Sequence, residues 1–257
     1  MLTALAFALA SCGLSLKSNG DDGRESQMKV LRYDRLESRY LTIGDFSALQ
    51  QMNIDYPMET RMLIEDVLHL GEVSDPEINS KFLKYYQDTT LQSIVADAEA
   101  QYANIDDINI LFGKAFKNMA SMCPSLSRPR IYAQIGALDQ SIVVGNNAVG
   151  ISLDKYLGSD YPLYKRYYNN VQRATMNREN IVPDALCFYL LSVFSLKNHD
   201  TSSQYERDMH MGKIMWVVNK AVERNVFKTK FVSAVDAKMK KRKDLSVTEL
   251  LTGKVSK

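Results

Sequence analysis

Residues 130–153 read RIYAQIGALDQSIVVGNNAVGISL. Apolar residues alternate with other residues at its start, which puts Ile131, Ala133 and Ile135 on one face, as in a half-buried β-strand. Two further apolar runs flank residues 145–147, where the sequence GNN tolerates positive φ and therefore indicates a β-hairpin. We predict a small sheet of about three strands in the middle of the chain.

Helical spacing of apolar residues dominates on both sides of this sheet. Residues 28–40 suggest a short strand or extended entry, and Asp75-Pro76 is a typical helix start. We predict helices over residues 88–102, 105–119, 180–196 and 202–226, with a further one near Tyr161. The predicted fold class is α+β: a helix-dominated single domain with a small central antiparallel or mixed sheet.

The composition is that of an ordinary globular protein. Of the 257 residues, 46% are hydrophobic and 24% charged, and the net charge of +2 gives no bias toward nucleic acid. We predict a body over residues 28–226 and a basic C-terminal segment over 227–257. The run KMKKRK in that segment (residues 238–243) indicates a solvated helix face or a surface that approaches anionic lipid.

The first twelve residues resemble a lipoprotein signal peptide. A short apolar run ends in Leu9-Ala-Ser-Cys12, the pattern that lipoprotein signal peptidase reads. We predict lipid attachment at Cys12, with residues 13–27 as a flexible tether, because two or three acyl chains anchor a protein stably. Two alternatives stay open: ordinary secretion after an A-x-A site at Ala8-Leu-Ala10, and a coincidental apolar N-terminus.

No intact catalytic motif is found in the sequence. The histidines His69, His199 and His210 are not spaced as in H-E-x-x-H, and neither a G-x-S-x-G elbow nor a phosphate loop is present. We therefore predict no catalytic residue, no metal ligand and no cofactor. The alternative is a hydrolase with an unrecognised site, in which three carboxylates surround a cleft: Asp139, Asp154 and Asp184.

Cys123 and Cys187 fit two structures. A disulfide between them needs close approach in the fold, which spacing alone does not establish. Two buried thiols are the favoured interpretation.

A cluster of tyrosine and basic residues gives the candidate partner surface. Tyrosine and arginine are enriched at binding hot spots, because they bury area and keep a polar tip. Half-buried packing of a helix on the sheet is the alternative explanation of the cluster. The residues of the predicted surface are Tyr156, Tyr161, Tyr164, Tyr168 and Arg173.

Four stretches carry a resemblance to a known family. PRIYAQIG (129–136), LDQSIVV (138–144), GISLDKYLG (150–158) and YPLY (161–164) resemble the gliding motility lipoprotein B family of Bacteroidetes, and the likeness extends over about 28–218. The resemblance implies a body like a zincin-type metalloprotease domain.

That likeness also implies a lost metal site. In active zincins an H-E-x-x-H helix follows the sheet, whereas the comparable helix here begins Pro183-Asp-Ala-Leu-Cys187. Zinc catalysis needs both histidine ligands and a base that activates the metal-bound water. We therefore expect a pseudo-enzyme: a non-catalytic, membrane-anchored lipoprotein of the bacterial envelope that binds other envelope proteins, related to gliding or secretion.

Overall fold

The computed structural model describes residues 28–145 and 147–253. The predicted signal peptide, Cys12 and the tether lie outside these residues. The described strands are β1 (Arg130–Gln134), β2 (Ile142–Gly145) and β3 (Ala148–Ser152). The described α-helices are α1 (Tyr33–Ile43), α2 (Phe46–Asp55), α3 (Pro57–Arg61), α4 (Ile78–Tyr85), α5 (Thr89–Gln101), α6 (Asp106–Met122), α7 (Pro162–Tyr167), α8 (Asn170–Arg173), α9 (Ile181–Val193), α10 (Gln204–Ala221), α11 (Lys230–Lys241) and α12 (Val247–Thr252).

The sheet is mixed, with β3 in its centre. β1 pairs with β3 in parallel, and β2 pairs with β3 antiparallel through the predicted hairpin. Gly150 faces Tyr132 across the β1–β3 pair, and a Cβ at this glycine would lie 2.5 Å from the tyrosine hydroxyl. Gly150 therefore lets the Tyr132 ring lie over the sheet. The extended entry is confirmed at Leu31, whose amide donates to the Ile131 carbonyl at 2.8 Å. From Tyr33 onward the same stretch is helical, because it forms α1.

Side-chain caps set several helix starts. The Asp88 carboxylate accepts from the amides of Thr90 and Leu91, so α5 begins where the sequence predicts. Ser203 and Glu206 form a capping box at the start of α10. The predicted start at Asp75-Pro76 is early, because the Asp75 carboxylate accepts from the Glu77 amide in a turn and α4 begins only at Ile78.

One hydrophobic core joins the sheet to the helices around it. All five residues of β3 are buried, which shows that both faces of the sheet are covered. α1 packs on β1, and α9 packs on β2 and β3. The predicted apolar stripe of α6 is buried, and its Phe116 ring lies 6.2 Å from that of Tyr189 on α9. Among the described residues, no helix is long and apolar enough to cross a membrane.

The C-terminal segment packs against the body. Val232 and Val235 of α11 and Leu250 and Leu251 of α12 belong to the same core. The Trp216 indole of α10 donates to the Asp236 carboxylate of α11 at 3.0 Å. The boundary at residue 226 stays a prediction that rests on the change of composition, and the described residues on both sides of it share one core.

Candidate functional site

The loop between β1 and β2 is strained and is held by one carboxylate. Ala137 and Leu138 have φ values of 50° and 63°, in the left-handed region that non-glycine residues seldom adopt. One oxygen of the fully buried Asp154 carboxylate accepts from the Gly136 amide at 2.8 Å, and the other from the Leu138 amide at 2.6 Å. Burial raises the pKa of Asp154 above its usual value, although these two hydrogen bonds oppose the shift.

Lys155 and Tyr168 hold the same loop from its outer side. The Lys155 ammonium donates to the carbonyls of Leu138 and Asp139 at 3.1 and 3.2 Å. The Tyr168 hydroxyl donates to the Leu138 carbonyl at 2.9 Å, and the ammonium lies 4.6 Å from the centre of the Tyr168 ring. Contacts on two sides therefore fix the conformation of residues 136–139.

A second buried carboxylate supports the end of β1. Glu37 of α1 accepts from the Ile135 amide at 2.8 Å, and the Tyr86 hydroxyl donates to the Ile135 carbonyl at 2.7 Å. Burial raises the pKa of Glu37 well above its usual value. Sequence analysis missed this residue, because a glutamate on a short helix carries no signal of its burial.

Two of the five predicted partner-surface residues are internal. Tyr156 and Tyr164 are almost completely buried. The Tyr164 hydroxyl accepts from the Leu157 amide at 2.9 Å and donates to the Asp154 carbonyl, while the Tyr156 hydroxyl donates to Asp184 at 3.1 Å. The prediction of a partner surface is therefore corrected for Tyr156 and Tyr164. The alternative of packing inside the fold holds for these two, because their hydroxyls satisfy buried polar groups.

The other three predicted residues are partly exposed. The Tyr161 hydroxyl donates to the Asp97 carboxylate at 2.8 Å, and Tyr168 is half-buried against the strained loop. Arg173 braces the chain near α7, because its guanidinium donates to the Ser159 carbonyl at 2.7 Å and to the Asn170 side chain. Tyr167, which the prediction leaves out, is 61% exposed.

Two grooves run between α7 and α5. The first has a volume of about 390 Å³ and is lined by Leu91 and Ile94 of α5, by the strained Ala137 and Leu138, and by Tyr167 and Tyr168. The second has a volume of about 310 Å³, with Tyr161 on one wall and Ser93 and Asp97 on the other. We call Tyr161, Tyr167 and Tyr168 together with these two grooves the tyrosine surface. The arrangement offers aromatic area with polar tips on a rigid support.

The three carboxylates of the hydrolase alternative have different surroundings. Asp139 is exposed, and both oxygens of Asp154 are bound to main-chain amides. Asp184 is half-buried on α9, where burial raises its pKa to about 6. Asp184 accepts from Tyr156, whereas Asp154 faces the β1–β2 loop, so these two carboxylates serve separate hydrogen-bond groups. The hydrolase alternative stays a prediction.

The start of α9 offers little to a zinc ion. Pro183 has no metal-binding atom in its side chain. Cys187 is buried with its sulfur 4.0 Å from that of Met211, and burial raises the pKa of its thiol to about 12, which disfavours the thiolate that binds metals. Among the described residues, no group of three or more histidine, cysteine, aspartate or glutamate side chains is arranged to hold a metal ion.

The remaining candidates are one histidine and the two cysteines. His210 is buried on α10, and burial lowers its pKa. Cys123 and Cys187 are both buried and free, which agrees with the prediction of two thiols.

Comparison with known proteins gives one match. A family model described as "Gliding motility protein GldB" matches residues 17–232, which is more than half of the chain. No curated protein and no solved structure matches the chain.

Proposed function

The chain belongs to the gliding motility protein GldB family, and from this premise we propose that it is a non-catalytic envelope lipoprotein that binds other envelope proteins through the tyrosine surface. The observation that carries the proposal is the exposure of Tyr167 beside two grooves whose walls include Tyr161 and Tyr168. Anchorage through Cys12 is part of the proposal, since an envelope-binding body needs to stay near its partners.

The rigidity of the groove wall supports a binding role. Loops that must order on binding lose affinity, because the lost conformational freedom opposes association. Here the strained loop is held in advance by Asp154 on its inner side and by Lys155 and Tyr168 on its outer side. A partner therefore meets a preformed surface.

The chemistry at the start of α9 supports the non-catalytic part. On the zincin resemblance, Pro183 and the buried Cys187 take the positions of the two histidines of a zinc-binding helix. Asp184 stands where the general base would be, and its carboxylate is bound to Tyr156. The Cys187 sulfur lies 4.0 Å from that of Met211 on α10, so neither of the two histidine positions supplies a ready zinc ligand.

The test is affinity purification of the acylated chain from crosslinked envelopes, with Tyr161→Ala and Tyr167→Ala as separate variants. Truncating a tyrosine at a binding hot spot costs about 2 kcal/mol or more, so we expect recovery of the partner to fall roughly thirtyfold. Tyr205→Ala is the matched control, because Tyr205 is 64% exposed, close to the value for Tyr167, but lies on α10. Thermal unfolding of each variant checks the fold.

Equal recovery from the wild type and from both variants would exclude the tyrosine surface. Equal loss in the Tyr205→Ala control would also contradict the proposal, because the effect would then not belong to this surface. Cys12→Ala tests the anchor separately: after a wash with alkaline carbonate and high salt, which removes proteins held only by partners or by charge, we expect the wild type in the membrane fraction and the variant in the soluble fraction. A variant that stays in the membrane fraction would disprove anchorage at Cys12.

A further inference from the structure

α11 presents two different faces. Val232 and Val235 point into the core and attach the helix to the body. On the opposite side, exposed residues recur every three or four positions and so share one face of the helix. We call this set the α11 basic face: Lys230, Ala234, Ala237, Lys238 and Lys241.

The α11 basic face carries positive charge from three exposed lysines, Lys230, Lys238 and Lys241. Ala234 and Ala237 have short side chains, so the long, flexible side chains of the lysines on this face extend beyond them. The nearby carboxylates are already paired. Asp236 lies 2.7 Å from the Lys240 ammonium and 3.4 Å from that of Lys220, and Asp244 lies 2.7 Å from the Arg242 guanidinium.

Contacts connect this face to the point where the described chain begins. The Val30 amide donates to the Asn109 side chain at 2.8 Å, and the Met28 backbone lies against Gly113, so residues 28–30 run along α6 with Met28 nearer to Lys114. Lys114 forms an ion pair at 2.6 Å with Glu223, at the end of α10.

Glu223 in turn lines a groove of about 690 Å³ whose other wall is α11, including Ala237 and Lys240. A continuous stretch of surface thus leads from the entry of the N-terminal segment to α11. Ala237 places one edge of the α11 basic face on this stretch of surface, and an anchor that precedes Met28 would keep the body within reach of the lipid.

We propose that the α11 basic face docks on an anionic membrane surface and orients the anchored body. This inference rests on the proposed anchorage at Cys12. Charge complementarity selects the occupant, because exposed lysines on one helix face attract the anionic headgroups of a membrane. Long, mobile lysine side chains suit fluid headgroups, which offer no fixed partner geometry.

The test measures binding of the full chain with Cys12→Ala, which cannot be acylated at that position, to vesicles of neutral lipid with and without phosphatidylglycerol. A lysine near an anionic surface contributes about 1 kcal/mol. The double variant Lys238→Gln, Lys241→Gln should therefore bind the anionic vesicles roughly thirtyfold more weakly, and added salt should weaken binding of the parent chain. The matched control is Lys84→Gln, Lys165→Gln, which removes the same charge from exposed lysines of α4 and α7.

Binding that requires the anionic lipid and is weakened by the α11 pair but not by the control pair supports the proposal. Equal binding to neutral and anionic vesicles, or equal loss in both double variants, overturns it. Absence of binding to either kind of vesicle also overturns the membrane-docking proposal. The proposed function would then still stand, because it is tested by Cys12→Ala fractionation and by partner recovery from envelopes, which do not use these vesicles. Thermal unfolding confirms that both double variants are folded.

Discussion

Asp154 shows how one side chain sustains an unfavourable backbone. Each residue held in the left-handed region costs of order 1–3 kcal/mol, and this carboxylate compensates by accepting from two amides of the loop that contains Ala137 and Leu138. The sequence around Asp154 carries no sign of this role, because its partners are 16 and 18 residues away along the chain.

Asp154→Asn should lower the free energy of unfolding by about 2–3 kcal/mol. An amide group presents one oxygen, so either the Gly136 or the Leu138 amide would face an NH₂ group and stay unpaired in a buried place. Urea unfolding followed by circular dichroism measures the change. The exposed Asp139→Asn is the control, with an expected change within about 0.5 kcal/mol. Equal stabilities of the two variants would show that Asp154 does not hold the loop.

Asp184 gives a prediction for the dependence of stability on pH. Its pKa is about 6 in the folded protein and about 4 in an unfolded chain. Between these values the folded state keeps the proton and the unfolded state releases it, so the free energy of unfolding falls as the pH rises. The contribution is absent below about pH 4 and complete above about pH 6, with a size of about 3 kcal/mol.

Asp184→Asn should therefore become more stable relative to the wild type as the pH rises from 4 to 7. Urea unfolding of both proteins at several pH values measures the difference between their free energies of unfolding. The contributions of the other buried carboxylates, including Glu37 and Asp154, cancel in this difference. A difference that does not change with pH would show that burial does not raise this pKa.

At the scale of elements, the α10–α11 contact depends on one glycine. A Cβ at Gly212 would lie 2.6 Å from the Phe231 Cβ and 3.0 Å from its carbonyl carbon, so α11 would have to shift. The other glycine inside a long helix, Gly113 of α6, leaves 3.9 Å between such a Cβ and the Met28 nitrogen, which is an ordinary contact. The two sites differ in packing and share the same helical conformation.

Gly212→Ala should destabilise the protein by about 1–3 kcal/mol, because overpacking between two helices forces them apart. Gly113→Ala should leave stability unchanged or raise it by about 0.5–1 kcal/mol, since alanine loses less backbone freedom on folding. Thermal or urea unfolding of both variants measures this contrast. Equal effects of the two substitutions would contradict the close approach of α10 and α11.

At the scale of the whole molecule, the C-terminal segment belongs to the body although its composition differs. The buried Val232, Val235, Leu250 and Leu251 complete the core beside α10, while the exposed lysines leave the segment basic overall. The family model ends at residue 232, within α11. The packed body therefore includes α11 and α12, which extend beyond the end of that match.

The sequence by itself determined the elements whose signals are local. Alternation and the GNN turn gave the strands and the hairpin, and apolar spacing gave the stripe of α6, because both depend on neighbours within a few residues along the chain. Short stretches such as GISLDKYLG indicated the family, and the family model that matches residues 17–232 shows it.

Only the tertiary structure decided which tyrosines of residues 156–168 face the core. Tyr156 and Tyr164 belong to the same tyrosine-rich stretch as Tyr161 and Tyr168, yet the first two brace buried groups and the second two line open grooves. Burial of an amphipathic residue depends on what packs over it. The hydroxyls of Tyr161, Tyr168 and Tyr156 bond to α5, the β1–β2 loop and α9, which are distant in sequence, whereas Tyr164 bonds to residues 154 and 157 nearby. The physical reason is that a tyrosine hydroxyl can bond either to a buried polar group or to water. The local sequence therefore does not distinguish a buried tyrosine from an exposed one.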